Sequence, residues 1–143
     1  MLDKAESSTT KVTAIDWAFV GIGKIGEEIG TALSIDLLFV DVAAGDAREL
    51  SQAIFTGYCD GLCDAGWHGD LNLARFGYLV TAALSYGLAF CDGVAHALQQ
   101  PNGGVIGEAI VGKPINEVVE QYIETLPFLL DCGDEALTLM RSI

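Results

Sequence analysis

The segment Val12-Thr-Ala-Ile-Asp16-Trp-Ala-Phe-Val-Gly21-Ile-Gly23-Lys-Ile-Gly26-Glu27-Glu28 constrains the fold more than any other part of the chain. A β-branched run ends in a carboxylate, and three glycines follow before an acidic pair opens a helical pattern. Glycine admits the positive φ values and close backbone approaches that a strand-to-helix turn needs. An aspartate ending a strand can grip a divalent cation, whereas a glycine-rich turn into a helix can cradle phosphates on backbone N–H groups. These two chemistries need different surroundings, and the remainder of the chain has to choose between them.

With 143 residues, 51% of them hydrophobic, the chain can bury one core, so a single domain is expected. Twenty acidic against seven basic residues give a formal charge of −13, which leaves no positive footprint for nucleic acid or an anionic membrane. A cationic small molecule, or simply an acidic solvated surface, suits that balance. The mean hydropathy of +0.41 is high for so charged a chain, so the apolar helices are expected to expose more surface than this segment covers. A missing N-terminal half or a homo-oligomer would cover it. The greasiest window, 76–91, is interrupted by Gly77, Ser85 and Gly87 and falls short of the roughly 20 residues of a membrane span. It reads as a core helix. The first residues lack a basic stretch followed by an apolar one, so no targeting segment is read and a cytoplasmic protein is expected. Cys59, Cys63, Cys91 and Cys132 form no CxxC pair. Cys59 and Cys63 with His68 nearby offer a weak zinc alternative, but buried free thiols are the expectation.

The periodicity predicts a strand over 11–15 behind a polar lead-in at 7–10, then a helix over 26–42 carrying Ile29, Leu33, Leu37 and Val40 on one face. Asp46, with Glu49 three residues on, reads as a capping box for a helix to about Ala65 with Leu50, Ile54, Tyr58 and Leu62 as its apolar face. Asp70 reads as the N-cap of a long helix to about Gln99, and Pro101-Asn-Gly-Gly104 as a break. Pro114 opens a further helix through about Leu130, with Glu117, Glu120, Gln121 and Glu124 on its solvated face. Gly133 is expected to separate a last helical piece.

Two motifs compete for the glycine turn and its surroundings. Gly21-Ile-Gly23-Lys-Ile-Gly26 matches the dinucleotide fingerprint, and Asp41 lies 20 residues past Gly21, where a ribose-binding acid would stand. That reading makes the chain an NAD(P)-binding fragment with strands at 17–20 and 37–40. It lacks a third parallel strand, since only helical patterns run from 47 to 99. His68-Gly69-Asp70-Leu71-Asn72 suggests a phosphotransferase catalytic loop, but Asn72 follows Asp70 too closely, and a capped turn is the better reading.

Ala14-Ile15-Asp16-Trp17, Gly21-Ile-Gly23 and Gly26-Glu27-Glu28-Ile29 resemble the C-terminal part of the aminoglycoside phosphotransferase-like family, which has a protein-kinase-like fold. Asp46-Ala-Arg-Glu-Leu50, Tyr58 with Gly61-Leu62, Asp64-Ala-Gly-Trp67 and Leu84-Ser-Tyr-Gly-Leu88 are similar to that family's helical stretches. The resemblance implies an α+β, mostly α, fold: the helical C-lobe of a kinase-like domain behind a short N-terminal β-hairpin. Within residues 1–143 the hairpin would occupy about 1–16, the metal-binding turn 16–26 and a helical bundle 26–143. It further implies transfer of the ATP γ-phosphate to a small-molecule hydroxyl, with Asp16 as the Mg²⁺ ligand and Glu28 as a structural brace where many members have Asp. The family's N-lobe and catalytic loop are expected to lie outside this chain, so Mg²⁺ and ATP would not bind it tightly and it would be inactive alone. A third expectation is non-enzymatic, a helical interaction module whose apolar faces seek a partner.

Overall fold

The computed structural model describes residues 21–100 and 102–142. Helix α1 spans Glu27–Leu38 and α2 spans Ala47–Asp64, joined through a short 3₁₀ turn at Ala44–Asp46. A continuous rod follows, made of α3 (Leu71–Val80), a π segment (Thr81–Leu88) and α4 (Ala89–Gln99). Helix α5 (Gly103–Val111) and the 26-residue α6 (Ile115–Met140) complete the chain. The mostly helical class is therefore as expected, and no strand occurs among the described residues. The expected β-hairpin at 1–16, the strand at 17–20 and Asp16 itself lie outside them.

The core joins Leu33 and Leu37 of α1, Ala47 of α2, Tyr78 and Leu79 of α3, Ala83 of the π segment, and Phe128, Leu129, Cys132 and Ala136 of α6. Leu50 and Ile54 of the expected α2 face pack against this cluster. Helix α1 lies close against α3, and glycines make room for it. A Cβ on Gly26 would lie 2.1 Å from the Ala74 carbonyl oxygen, and one on Gly77 would lie 2.1 Å from the Ile25 carbonyl oxygen. By length and composition the rod Leu71–Gln99 is long and apolar enough to cross a membrane, longer than the interrupted window implied. Here Ala74, Tyr78, Leu79, Ala82 and Ala83 turn one side of it into the core.

Several boundaries depart from expectation for local reasons. Helix α1 ends at Leu38, not near Val42, because Asp41 N–H donates to the Asp36 carbonyl at 3.0 Å and Val40 N–H to that of Leu37 at 3.4 Å. That is a Schellman stop, and it sets Val40 at φ 59, a left-handed conformation costly to a β-branched residue. Val40→Gly is expected to raise stability by about 1 kcal/mol, read as a higher urea midpoint.

The expected capping box at Asp46 does not form. Asp46 has helical φ and ψ of −93° and −4°, whereas a cap must be extended for its side chain to fold back, and it makes no capping bond. Asp70 is the cap the sequence indicated: it is extended, and its Oδ1 accepts the Asn72 N–H at 2.9 Å. Gly133 does not break the last helix, because α6 runs through it and places it against Ala83, whose Cβ would be 3.7 Å from a Cβ at 133. Gln121, expected on the solvated face, is buried. Its amide donates to the Val42 carbonyl at 2.6 Å and accepts the Ala44 N–H at 3.2 Å, tying the α1–α2 connection to α6.

Candidate functional site

The glycine turn is described from Gly21 onward. Gly21, Ile22, Gly23 and Lys24 are exposed, and Gly26 at φ 87 leads directly into α1. At this helix start the first-turn amides need partners. The Glu27 side chain accepts the Lys24 N–H at 3.1 Å. The Gly26 N–H donates to the Tyr58 hydroxyl oxygen at 3.1 Å, and that hydroxyl donates in turn to Glu28 Oε1 at 2.6 Å. Tyr58 thus links α2 to both the last turn residue and the second helical residue. Its burial and the Glu28 carboxylate push its pKa up to about 12, so it remains a neutral donor across the physiological range. Glu28 is engaged within the described residues by Tyr58, a partner no local pattern indicates because it stands 30 residues away.

The dinucleotide constellation is not assembled here. Leu37 and Leu38 close a helix in place of the second strand, and Asp41 sits in the turn beyond it. Gly26 and Asp41 therefore stand at opposite ends of α1, which at 12 residues is about 18 Å long. The third glycine of the motif serves helix packing: a Cβ there would lie 2.1 Å from the Ala74 carbonyl oxygen, and the Gly26 N–H already donates to Tyr58.

The other sequence candidates resolve structurally. Asp70 caps α3, and Gly69 lies so close to Trp67 that a Cβ there would be 2.2 Å from the indole. Cys63, Cys91 and His68 are exposed, Cys59 is half-buried and Cys132 buried, so the expectation of buried thiols holds fully for Cys132 alone. Among the described residues no three His, Cys, Asp or Glu side chains converge as a metal site. Burial, then Cys63, raises the Cys59 pKa, and burial pushes the Cys132 thiol up to about 11, which leaves it a poor nucleophile. The carboxylate assigned to Mg²⁺, Asp16, lies outside the described residues.

A polar cleft of about 180 Å³ between α2, α3 and α6 was not legible in the sequence. Arg75 forms a two-pronged pair with Glu135, at 2.7 and 2.9 Å, and lies 4.9 Å from the Phe55 ring centre and 5.4 Å from that of Tyr78. The Glu135 bond raises the Arg75 pKa further. Arg48 pairs with Asp131 over the Phe128 ring. Both guanidinium groups are neutralised and stacked within the chain, so the cleft binds α6 to the other two helices and offers no open anion trap. The partners are 83 and 60 residues apart, and only their being two of seven basic residues could have drawn attention to them. No family model, curated protein or solved structure matches the chain.

Proposed function

We propose that the chain is the helical C-terminal part of an ATP-dependent phosphotransferase acting on a small-molecule hydroxyl, of the aminoglycoside type, with Asp16 as the residue that holds Mg²⁺. The observation that carries this reading is the Ile15-Asp16-Trp17 run followed by a glycine turn that enters one uninterrupted helix at Glu27. In support, Glu28 is held at the first turn of that helix by Tyr58, whose hydroxyl also accepts the Gly26 N–H at the end of the glycine turn. The acidic balance of 20 carboxylates to 7 basic residues is compatible with a cationic acceptor.

Phosphoryl transfer rests on positioning and on charge stabilisation by several groups acting together. One metal carboxylate without a base, a metal-binding Asn and a phosphate-binding Lys does not supply that. The 143-residue chain is therefore expected to transfer no phosphate from ATP to any aminoglycoside above background, and measurable turnover would overturn this part of the reading. The coding DNA upstream of Met1 is expected to contain His-x-Asp-x₄-Asn in frame. The longer protein made from it should transfer the γ-phosphate, and Asp16→Asn in that protein should lower kcat by about 10³-fold or more. An upstream frame without the motif, or an Asp16→Asn enzyme of full activity, refutes the proposal. Saturable binding of NAD⁺ by the chain would favour the dinucleotide reading in its place.

A further inference from the structure

We infer that α6 and the adjoining π segment form a docking groove for a basic amphipathic helix of another protein. Helix α6 carries two apolar stripes. One of them, including Val118, Thr125, Phe128, Cys132 and Ala136, is buried in the core. The other runs from Val119 through Ile123, Leu126, Leu130 and Leu137 to Met140, with Gly133 completing alternating steps of four and three. The buried stripe 118, 121, 125, 128 and 132 has the same alternation, so the exposed stripe has the spacing with which this helix already packs against its neighbours. From Val119 to Met140 it covers 22 residues and is about 32 Å long. Ile123, Leu130, Leu137 and Met140 on it are 63, 56, 52 and 55% exposed, a cost in water that a partner would remove.

The second wall comes from the π segment. Ala83 and Gly87 pack against α6, with the Ala83 Cβ 3.7 Å from the Cβ position of Gly133 and the Leu129 side chain 3.5 Å from that of Gly87. Leu84 and Leu88, each one residue further along, are exposed. Gly133 lowers the floor between the walls, as a groove receiving a helix requires.

Charge selects the occupant. Glu117, Glu120, Glu124, Asp131, Asp134 and Glu135 are exposed on α6, and no Lys or Arg occurs between Ile115 and Met140. Arg48 and Arg75 neutralise Asp131 and Glu135, while the other four have no ion-pair partner among the described residues. The π segment and α4 likewise contain no Lys or Arg. A second copy of the chain seating its own α6 here would set carboxylates against carboxylates, so self-association is opposed. A helix with Lys or Arg flanking an apolar seam answers both the greasy stripe and the charge. This surface uses none of the residues assigned to phosphoryl transfer, so it stands or falls separately.

The full chain is titrated, by fluorescence anisotropy, against a labelled helical peptide of about three heptads with Leu at the seam and Lys beside it. A second peptide carries Glu in place of Lys. Micromolar binding is expected for the Lys peptide, weakening with added salt, and at least about tenfold weaker binding for the Glu peptide. The Leu130→Asp, Leu137→Asp double variant should lose about tenfold or more, while Leu71→Asp, Leu73→Asp, exposed on another helix, should not. Circular dichroism checks folding, and Ile123→Gln replaces the double variant if that one unfolds. Equal binding of the two peptides, indifference to the seam variants, or no saturable binding at about 100 μM overturns the inference. So does a homodimer in sedimentation that Leu130→Asp dissolves, since the occupant would then be a second copy.

Discussion

Gly26→Ala is expected to destabilise the fold by about 2–5 kcal/mol, a large part of the roughly 5–15 kcal/mol a domain has. Two costs add. At φ 87 an alanine is forced into the left-handed region, worth about 1–2 kcal/mol. The new methyl would also lie 2.1 Å from the Ala74 carbonyl oxygen and 2.9 Å from the Tyr78 amide nitrogen. Both are backbone atoms inside α3 and cannot swing aside, so α1 has to lift, and overpacking of this kind costs about 1–3 kcal/mol. Gly77→Ala, facing the Ile25 carbonyl from the other helix at 2.1 Å, should show the second cost without the first. Gly57→Ala is the control. It lies exposed within α2 with nothing within 4 Å, and should be stabilising by about 0.5–1 kcal/mol. Urea midpoints for the three variants order the effects, and a Gly26→Ala midpoint equal to wild type would show that α1 and α3 do not cross at this distance.

Alkaline unfolding is the second large effect. Burial first of all pushes Tyr58, Tyr78 and Tyr122 up to about 12, from an ordinary value near 10, and Cys132 up to about 11, from one near 9. In each case the folded state holds the proton more tightly than the unfolded chain does. The stability this brings is complete below the unfolded value, declines as pH passes from about 9 for the thiol and 10 for the phenols, and is gone above about 12. Tyr78 is fully buried and hydrogen-bonded to Ser51 at 2.7 Å, so holding its proton up to about pH 12 is worth about 2–3 kcal/mol. Tyr58 and Tyr122, nearer solvent, contribute less. The chain is expected to unfold cooperatively between pH 10 and 12, with tyrosinate absorbance rising as helical ellipticity falls. Tyr78→Phe should shift that transition to higher pH. Tyrosines titrating near 10 with the helices intact would contradict the buried positions.

Helix content, the long rod from Leu71 and the break near residue 101 were readable because local chemistry decides them: apolar spacing, an Asp70 cap and a Pro-Gly cluster act within a few residues. The errors at Asp41–Val42 and Asp46 were local in backbone geometry, whereas those at Gln121 and Gly133 fell where a distant partner overrode a local rule. Gln121 looks like a surface residue by its polarity and its acidic neighbours, yet two backbone groups in the α1–α2 connection, 77 and 79 residues away, satisfy its amide and make its burial tolerable. Gly133 looks like a breaker, but the closeness of Ala83 makes a missing side chain useful inside the helix. Of the candidate site, the glycines of the turn were visible in the letters. What they do at Gly26 was not, because the same absence of a Cβ serves a phosphate cradle and a tight helix crossing equally well.

The sequence by itself determined that this chain makes amphipathic helices, where most of them begin, and that its surface is strongly acidic, since each follows from residue type and short-range spacing. Only the tertiary structure decided that Gly26 packs against α3, that Tyr58 holds Glu28, and that one stripe of α6 is buried while its neighbour faces water. Those outcomes depend on which side chains meet across dozens of residues, and no local pattern encodes a contact between segments until the helices are packed.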